Sequence, residues 1–190
     1  AQALDIHHDH GYPLPHTIFD TICEAGDARG EDVKEKAFGK DLILWIGHGG
    51  SGGWAWVLDD FLGDCGSTNL YVGGPDDPSV MVMDFGNTRP VVLGASCLTG
   101  AYARQSGVSI ARAFLRLGAG VYIGNVEVMG LGAVEELATG FFRDNWTSSA
   151  ISAGDALKDL KYHWARYRYS RRSWDIYEMN LYGDPKFGTE

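Results

Sequence analysis

Residues 42–50 read LILWIGHGG, and this stretch decides how the rest of the chain is interpreted. Five apolar residues predict a buried strand, and the glycines after them predict a tight turn. His48 therefore stands at the carboxyl end of a strand, where open α/β sheets bind their ligands. Residues 90–97 read PVVLGASC and have the same form, with Cys97 at the end of an apolar run. If the two strands are parallel neighbours, His48 and Cys97 share one edge of the sheet.

The segments that follow predict an α/β fold with a mainly parallel sheet flanked by helices. Residues 110–117 place apolar side chains on one helical face, and residues 120–124 form a third apolar run. Residues 152–155 have the capping-box form and open a helix that directs Leu157, Leu160 and Trp164 inward. Strands that alternate with helices are typical of parallel sheets with right-handed crossovers.

The length of 190 residues predicts a single domain. We expect residues 1–40 to be an N-terminal lead-in with short helices and residues 41–190 to be the domain proper. Only three or four strands can be identified, which is few for such a sheet. We therefore expect further strands upstream of Ala1 in a longer precursor, or on another chain.

Composition excludes some classes of partner. The net charge of -9 argues against nucleic acid, and no apolar run approaches the roughly 20 residues of a membrane helix. Residues 162–172 mix arginines with aromatic side chains, a composition that can bind single-stranded nucleic acid. Because the whole chain is acidic, we favour a helix with its aromatic side chains in the core and its arginines in solvent. We expect neither nucleic acid nor a membrane as partner.

Metal sites and disulfides are only weakly indicated. Residues 7–16 hold four of the six histidines, which can converge on zinc or nickel, but no second ligand pair follows at the usual spacing. Asp76 and Asp77 would allow a structural calcium ion, although their loop spacing does not support one. We therefore expect no metal in the functional site and no cofactor. Of the three cysteines, Cys97 is our candidate for the unpaired thiol, while Cys23 and Cys65 are either paired or free.

Two alternatives for the glycine-rich segment have to be weighed. Residues 47–52 match the G-x-G-x-x-G fingerprint of dinucleotide-binding sites, but no clear acidic residue ends a second strand about twenty residues later. Residues 48–50 also read HGG, as in the oxyanion loop of esterases, and residues 94–98 nearly form their nucleophile elbow. Leu98 replaces the final glycine of that elbow, and only His163 follows Ser96 as a triad histidine.

A third interpretation, a cysteine–histidine dyad, gives every unusual residue a role. The Cys97 thiolate would attack a carbonyl carbon, and His48 would supply the proton for the leaving amine. The backbone N–H groups of Gly49 and Cys97 would face the developing oxyanion. The alternative is that Cys97 is a small buried apolar residue and His48 a turn residue. Spacing alone does not separate these two possibilities.

A family resemblance adds weight to the dyad. Three motifs of this chain resemble the gingipain-like family of caspase-type (clan CD) cysteine peptidases. They are an apolar run followed by GHG at residues 47–49, a second apolar run followed by ASCLTG at 95–100, and NLYGDP at 180–185. The resemblance implies a caspase-like three-layer sandwich and a cysteine endopeptidase that acts on protein or peptide substrates. It also implies that His48 and Cys97 are the dyad and that the Gly49 and Cys97 amides form the oxyanion hole. A secreted or cell-surface location and a sheet of about six strands follow from the same resemblance.

Specificity is the least determined property. Family members carry an acidic residue upstream of the histidine, and none of the aspartates near the start of this chain lies in a recognisable motif. Ile46 and Glu127 are our candidates for the substrate pocket, and Glu127 would suit a basic P1 side chain. The other interpretation of Glu127 is a solvated loop carboxylate. The alternative function is a catalytically degenerate module that binds a peptide or a partner protein.

Overall fold

A computed structural model of the protein describes residues 37–46, 48–55, 70–71, 83–102, 108–129, 140–141, 151–167 and 177–187. The strands in this part of the chain are β1 (Leu42–Ile46), β2 (His48–Gly50), β3 (Gly53–Ala55), β4 (Leu70–Tyr71), β5 (Val91–Ala95), β6 (Val121–Asn125) and β7 (Met179–Gly183). The helices longer than one turn among the described residues are α1 (Ile110–Arg116) and α2 (Ala153–Tyr167).

The main sheet has the strand order β1-β5-β6-β7. β5 pairs in parallel with both β1 and β6, and β7 runs antiparallel to β6. The unit β5-α1-β6 is therefore a parallel crossover, as the alternation of apolar runs and helical patterns predicts. The mainly parallel α/β sheet is confirmed. β7 is a strand that was not predicted from the sequence; it includes part of the motif at residues 180–185.

Helices cover both faces of this sheet, so the fold has three layers. Successive side chains of a strand point to opposite faces, and in β5 Val91 and Leu93 pack in the cluster that contains α2. Val92 points the other way and packs in the cluster that contains α1. Because both faces are buried, the strands read as continuous apolar runs and not as alternating ones.

A second, smaller sheet contains β2, β3 and β4 in antiparallel order. Residues 48–50 are thus a strand, and the prediction of a tight turn there is wrong. The turn of the hairpin lies at Ser51 and Gly52, directly after β2. A glycine-rich segment predicts a turn only because glycine tolerates unusual backbone angles. Here the absence of side chains instead allows an extended strand to approach its neighbours closely.

The predicted end of α1 and the predicted start of α2 are confirmed. The Ser109 side chain accepts from the Arg112 N–H at the start of α1, and Gly118 after it has a φ of 103°, which favours glycine. At α2 the Asp155 N–H donates to Ser152 Oγ at 3.1 Å, which confirms the predicted cap. Leu157, Leu160 and Trp164 are buried, as predicted.

The turn after β7 also contributes to this helix start. The N–H groups of Ala153 and Gly154 donate to the carbonyl oxygens of Phe187 and Pro185, at 3.0 and 2.9 Å. Unpaired N–H groups at a helix start need such acceptors. The Gly-Asp-Pro motif therefore has a structural role, which fixes the amino end of α2.

Several predictions lie outside the described residues. They concern nearly all of the lead-in of residues 1–40, Cys23, Cys65, Asp76 and Asp77, and the part of the aromatic and basic stretch beyond residue 167. The boundary at residue 41 and the strands expected upstream of Ala1 stay predictions.

Candidate functional site

The two motifs meet because β1 and β5 are parallel neighbours. Ile46 pairs with Ala95 at the last position of their common register. His48 and Cys97 each follow two residues later, so their backbones lie at the carboxyl edge of the sheet. This is the edge at which open α/β sheets bind ligands.

Gly49 brings the β2 backbone into contact with the segment around Cys97. A Cβ atom placed on Gly49 would lie 2.6 Å from Thr99 Cγ2 and nearer still to the hydroxyl of Ser96. Real Cβ atoms essentially never approach other atoms to less than 3.0 Å. Only glycine therefore fits at position 49, and the backbone next to His48 lies directly against the segment that carries Cys97.

The Cys97 side chain is half-buried, and its sulfur is held by one backbone segment. Sγ lies 3.4 Å from the N–H nitrogen and 3.5 Å from the carbonyl oxygen of Met129. The next residue, Leu98, has a φ of 57°, an uncommon conformation for a branched side chain. Its N–H donates to the carbonyl oxygen of Glu127 at 3.1 Å. The chain thus turns sharply at the end of β5 and presents the sulfur at the sheet edge.

The Ser96 side chain points into the protein interior, unlike that of Cys97. Its side chain is fully buried, and its hydroxyl has no hydrogen-bond partner among the residues that the structure describes. A nucleophile must be reachable by its substrate, so Ser96 does not fit the esterase interpretation. The dinucleotide interpretation fits no better, because a second β-strand follows the glycine-rich segment instead of a helix.

A buried polar network lies behind Cys97. The Ser96 carbonyl oxygen accepts from Asn125 Nδ2 at 3.1 Å and from Thr99 Oγ1 at 3.2 Å. The Thr99 hydroxyl also donates to the Gly94 carbonyl oxygen at 2.7 Å. These bonds tie the turn after β5 to the end of β6.

The network extends to the small sheet through a buried phenol. Trp54 in β3 donates from Nε1 to the Tyr122 hydroxyl at 3.3 Å, and the same hydroxyl is hydrogen-bonded to Thr99. Burial raises the pKa of Tyr122 far above its usual value, although the hydrogen bonds to Trp54 and Thr99 oppose that shift. Tyr122 is therefore neutral and acts as a hydrogen-bonding link between the His48 hairpin and the Cys97 turn.

The two candidates for the substrate pocket lie near the same edge. Ile46 is the last residue of β1, and Glu127 is the second residue after β6. Glu127 is exposed, and its carbonyl oxygen contacts the turn that follows Cys97. Val128 beside it is also exposed, with 69% of its surface accessible. A carboxylate and an apolar side chain are therefore exposed to solvent on the segment whose backbone contacts the Cys97 turn.

Within the described ranges, no group of three or more histidine, cysteine, aspartate or glutamate residues is placed to hold a metal ion. The histidines of residues 7–16 and the aspartates at 76 and 77 lie outside these ranges. None of the helices described is long and apolar enough to cross a membrane.

Sequence reasoning missed two residues of this site. Met129 lies 32 positions after Cys97, so no local pattern links them. Asn125 carried a signal, because it is a polar residue at the carboxyl end of the third apolar run. It is the last residue of its strand, as Ile46 and Ala95 are of theirs, two residues before His48 and Cys97.

Solved structures resemble this fold over nearly its whole length. A crystal structure of the Arg-specific cysteine proteinase gingipain R superposes with a TM-score of 0.67 at 14% identity, over 96% of this chain. A complex of the pro- and mature domains of this gingipain from Porphyromonas gingivalis gives a TM-score of 0.71 at 13% identity, over 98% of the chain. The chain spans 40% and 42% of the lengths of these two structures. At such identities the likeness shows a shared caspase-like fold.

Family membership follows from the sequence itself. No curated protein matches the sequence significantly. The sequence profile of Peptidase family C25, however, matches residues 29–189, which is most of the chain. With the gingipain fold and the Cys97 edge already described, this match shows that the chain belongs to peptidase family C25.

Proposed function

We propose that this chain is the catalytic portion of a cysteine endopeptidase, with Cys97 as nucleophile and His48 as general acid and base. One observation carries the proposal. Cys97 is partly accessible at the carboxyl edge of the sheet, and the Gly49 backbone, next to His48, lies against the same turn. Membership of peptidase family C25 supports the choice of peptide bonds as substrate.

The chemistry proceeds through a thioester. The Cys97 thiolate attacks the carbonyl carbon, and the electron pair of the C=O bond moves onto oxygen. When this intermediate collapses, the C–N bond breaks and the amine leaves with a proton from His48. Water then attacks the thioester and gives its proton to His48, and the C–S bond breaks to release the acid and the thiolate.

The oxyanion needs fixed donors at the point where its charge develops. Among the described residues no acceptor is recorded for the Cys97 N–H, and this N–H is proposed to bind the substrate oxygen. Gly49 would supply the second N–H, because its backbone lies against the turn that carries the nucleophile. Removal of one such donor typically costs about 10²–10³-fold in rate.

The substrate pocket is proposed to prefer a basic P1 side chain. Glu127 is an exposed carboxylate next to the Cys97 turn, and opposite charges at short range favour each other. Gingipain R, which shares the fold, is described as Arg-specific. Ile46 would line the apolar part of the same pocket.

A precursor segment is the proposed partner besides the substrate. The gingipain of Porphyromonas gingivalis has been crystallised as a complex of its pro- and mature domains. We propose a comparable segment for this protein, and a secreted or cell-surface location, on the basis of that similarity alone.

Peptide turnover tests the proposal. A fluorogenic peptide library that varies only the P1 residue should show hydrolysis that is fastest after arginine or lysine. Cys97→Ala should abolish turnover, while Cys23→Ala and Cys65→Ala, as matched cysteine controls, should retain it. Glu127→Gln should raise KM for basic P1 residues more than for neutral ones.

Two results would contradict the proposal. Retained hydrolysis in Cys97→Ala would remove the cysteine from the mechanism. Peptide binding without turnover at any P1 residue would identify the chain as a binding module instead.

A further inference from the structure

The peptide group that joins Ser96 to Cys97 is held from its carbonyl side. Two buried donors, Asn125 Nδ2 and Thr99 Oγ1, point at the Ser96 carbonyl oxygen from 3.1 and 3.2 Å. A trans peptide group is planar, and its C=O and N–H bonds point in opposite directions. Whatever fixes the Ser96 oxygen in the interior therefore also fixes the direction of the Cys97 N–H.

Asn125 is the stronger of the two anchors. The Thr99 hydroxyl has one hydrogen, and its bond to the Gly94 oxygen is shorter, at 2.7 Å, than its bond to the Ser96 oxygen. The backbone carbonyl oxygen of Asn125 also accepts from the Gly100 N–H, at 2.7 Å. It thereby holds both ends of the turn of residues 96–100 from the rigid end of β6.

The cost of this arrangement points to a role beyond packing. Asn125 is fully buried, and its Oδ1 atom has no hydrogen-bond partner among the residues described. A buried polar atom without a partner destabilises the folded state. An apolar side chain of similar size would fill the same space without a buried unpaired atom. The amide at this position therefore indicates a role other than filling the core.

We infer that Asn125 is a positioning residue that, with Thr99, orients the Cys97 backbone N–H as an oxyanion donor. The inference rests on the proposed function, because an oxyanion donor has meaning only in a chain that cleaves acyl bonds. Asn125 does not contact the substrate in this account. It acts through the peptide group between the buried Ser96 and the accessible Cys97.

The test compares two reactions of the same sulfur. Peptide hydrolysis develops an oxyanion, whereas alkylation by iodoacetamide displaces iodide from a saturated carbon and develops none. Asn125→Ala should lower kcat by about 10–100-fold, less than the roughly 10²–10³-fold loss when a donor is removed outright. KM and the alkylation rate of Cys97, followed by peptide mass spectrometry, should stay at their wild-type values. Asn87→Ala, at an exposed turn, is the matched control and should change neither reaction.

A second pair of variants keeps the test decisive if Asn125→Ala does not fold, as judged by circular dichroism. Thr99→Val removes the hydroxyl at nearly constant volume and should lower kcat in the same selective way, to a smaller extent. Thr99→Ser restores the hydroxyl and should restore kcat.

The outcomes separate this inference from the proposed function. Equal losses in hydrolysis and alkylation would show that the variants only disturb the sulfur, and an unchanged kcat would show that the anchors do not matter. Either result overturns the inference while wild-type hydrolysis stands. If the wild-type chain hydrolyses no peptide of the P1 library, the proposed function fails, and the inference fails with it.

Discussion

Replacement of Gly49 by alanine tests whether the contact between β2 and the Cys97 turn positions the reacting groups. The new methyl group would lie 2.6 Å from Thr99 Cγ2 and closer to the Ser96 hydroxyl, whereas ordinary contacts begin at 3.4 Å. The two segments must therefore separate by about 1 Å. Misplacement of reacting groups by that distance can cost about 10²-fold in rate, and overpacking of this kind costs about 1–3 kcal/mol of stability.

Gly50 offers a matched control in the same strand. A Cβ atom on Gly50 has no other atom within 4 Å, so Gly50→Ala introduces the same methyl group without a clash. We expect Gly49→Ala to lower kcat/KM by about 10²-fold and to shift the urea unfolding midpoint. Gly50→Ala should leave both near wild type.

Both variants should be compared by circular dichroism, urea unfolding and hydrolysis of one P1-arginine peptide. Equal activity of the two folded variants would refute the reasoning, because the close approach of Gly49 would then have no bearing on catalysis.

Four further predictions concern the supporting structure. Tyr122→Phe removes the acceptor of a buried indole N–H and should lower the free energy of unfolding by about 1–3 kcal/mol; an unchanged urea midpoint would contradict the link. Ser152→Ala removes the cap of α2 and should cost about 0.5–2 kcal/mol in the same assay, while Ser152→Thr should retain most of it. The hydrogen bond from Lys158 holds the pKa of Asp155 below its ordinary value of 3.8. The stabilisation by this exposed pair is therefore present above that pH and is lost as the pH falls below it. Asp155→Asn should remove that part of the acid dependence of unfolding. Gly118→Ala, at a φ of 103°, should destabilise the protein by about 1 kcal/mol in thermal unfolding, and a gain in stability would contradict the observed turn.

Local pattern was enough to predict the elements that bury a continuous surface. The runs at β1, β5 and β6 are apolar throughout because both faces of each strand are covered, and the capping residues of α2 are adjacent in sequence. The shared edge of His48 and Cys97 followed from one assumption, that β1 and β5 are parallel neighbours.

Pairing between distant segments could not be predicted in the same way. β2 has too few side chains to show a strand pattern, and its conformation depends on β3 and on the Cys97 turn. The contact of Met129 with the sulfur and that of Asn125 with the Ser96 carbonyl join residues about thirty positions apart. These two contacts depend on the register between β5 and β6, which cannot be predicted from the sequence of either segment alone.

The residue that becomes acylated tests the central claim most directly. The chain can be mixed with a reactive peptidyl ester, quenched in acid during the first turnover, digested and sequenced by mass spectrometry. Our account predicts an acyl group on the sulfur of Cys97, and none in Cys97→Ala. An acyl group on the neighbouring Ser96, or turnover of the ester with no covalent intermediate at either residue, would contradict it.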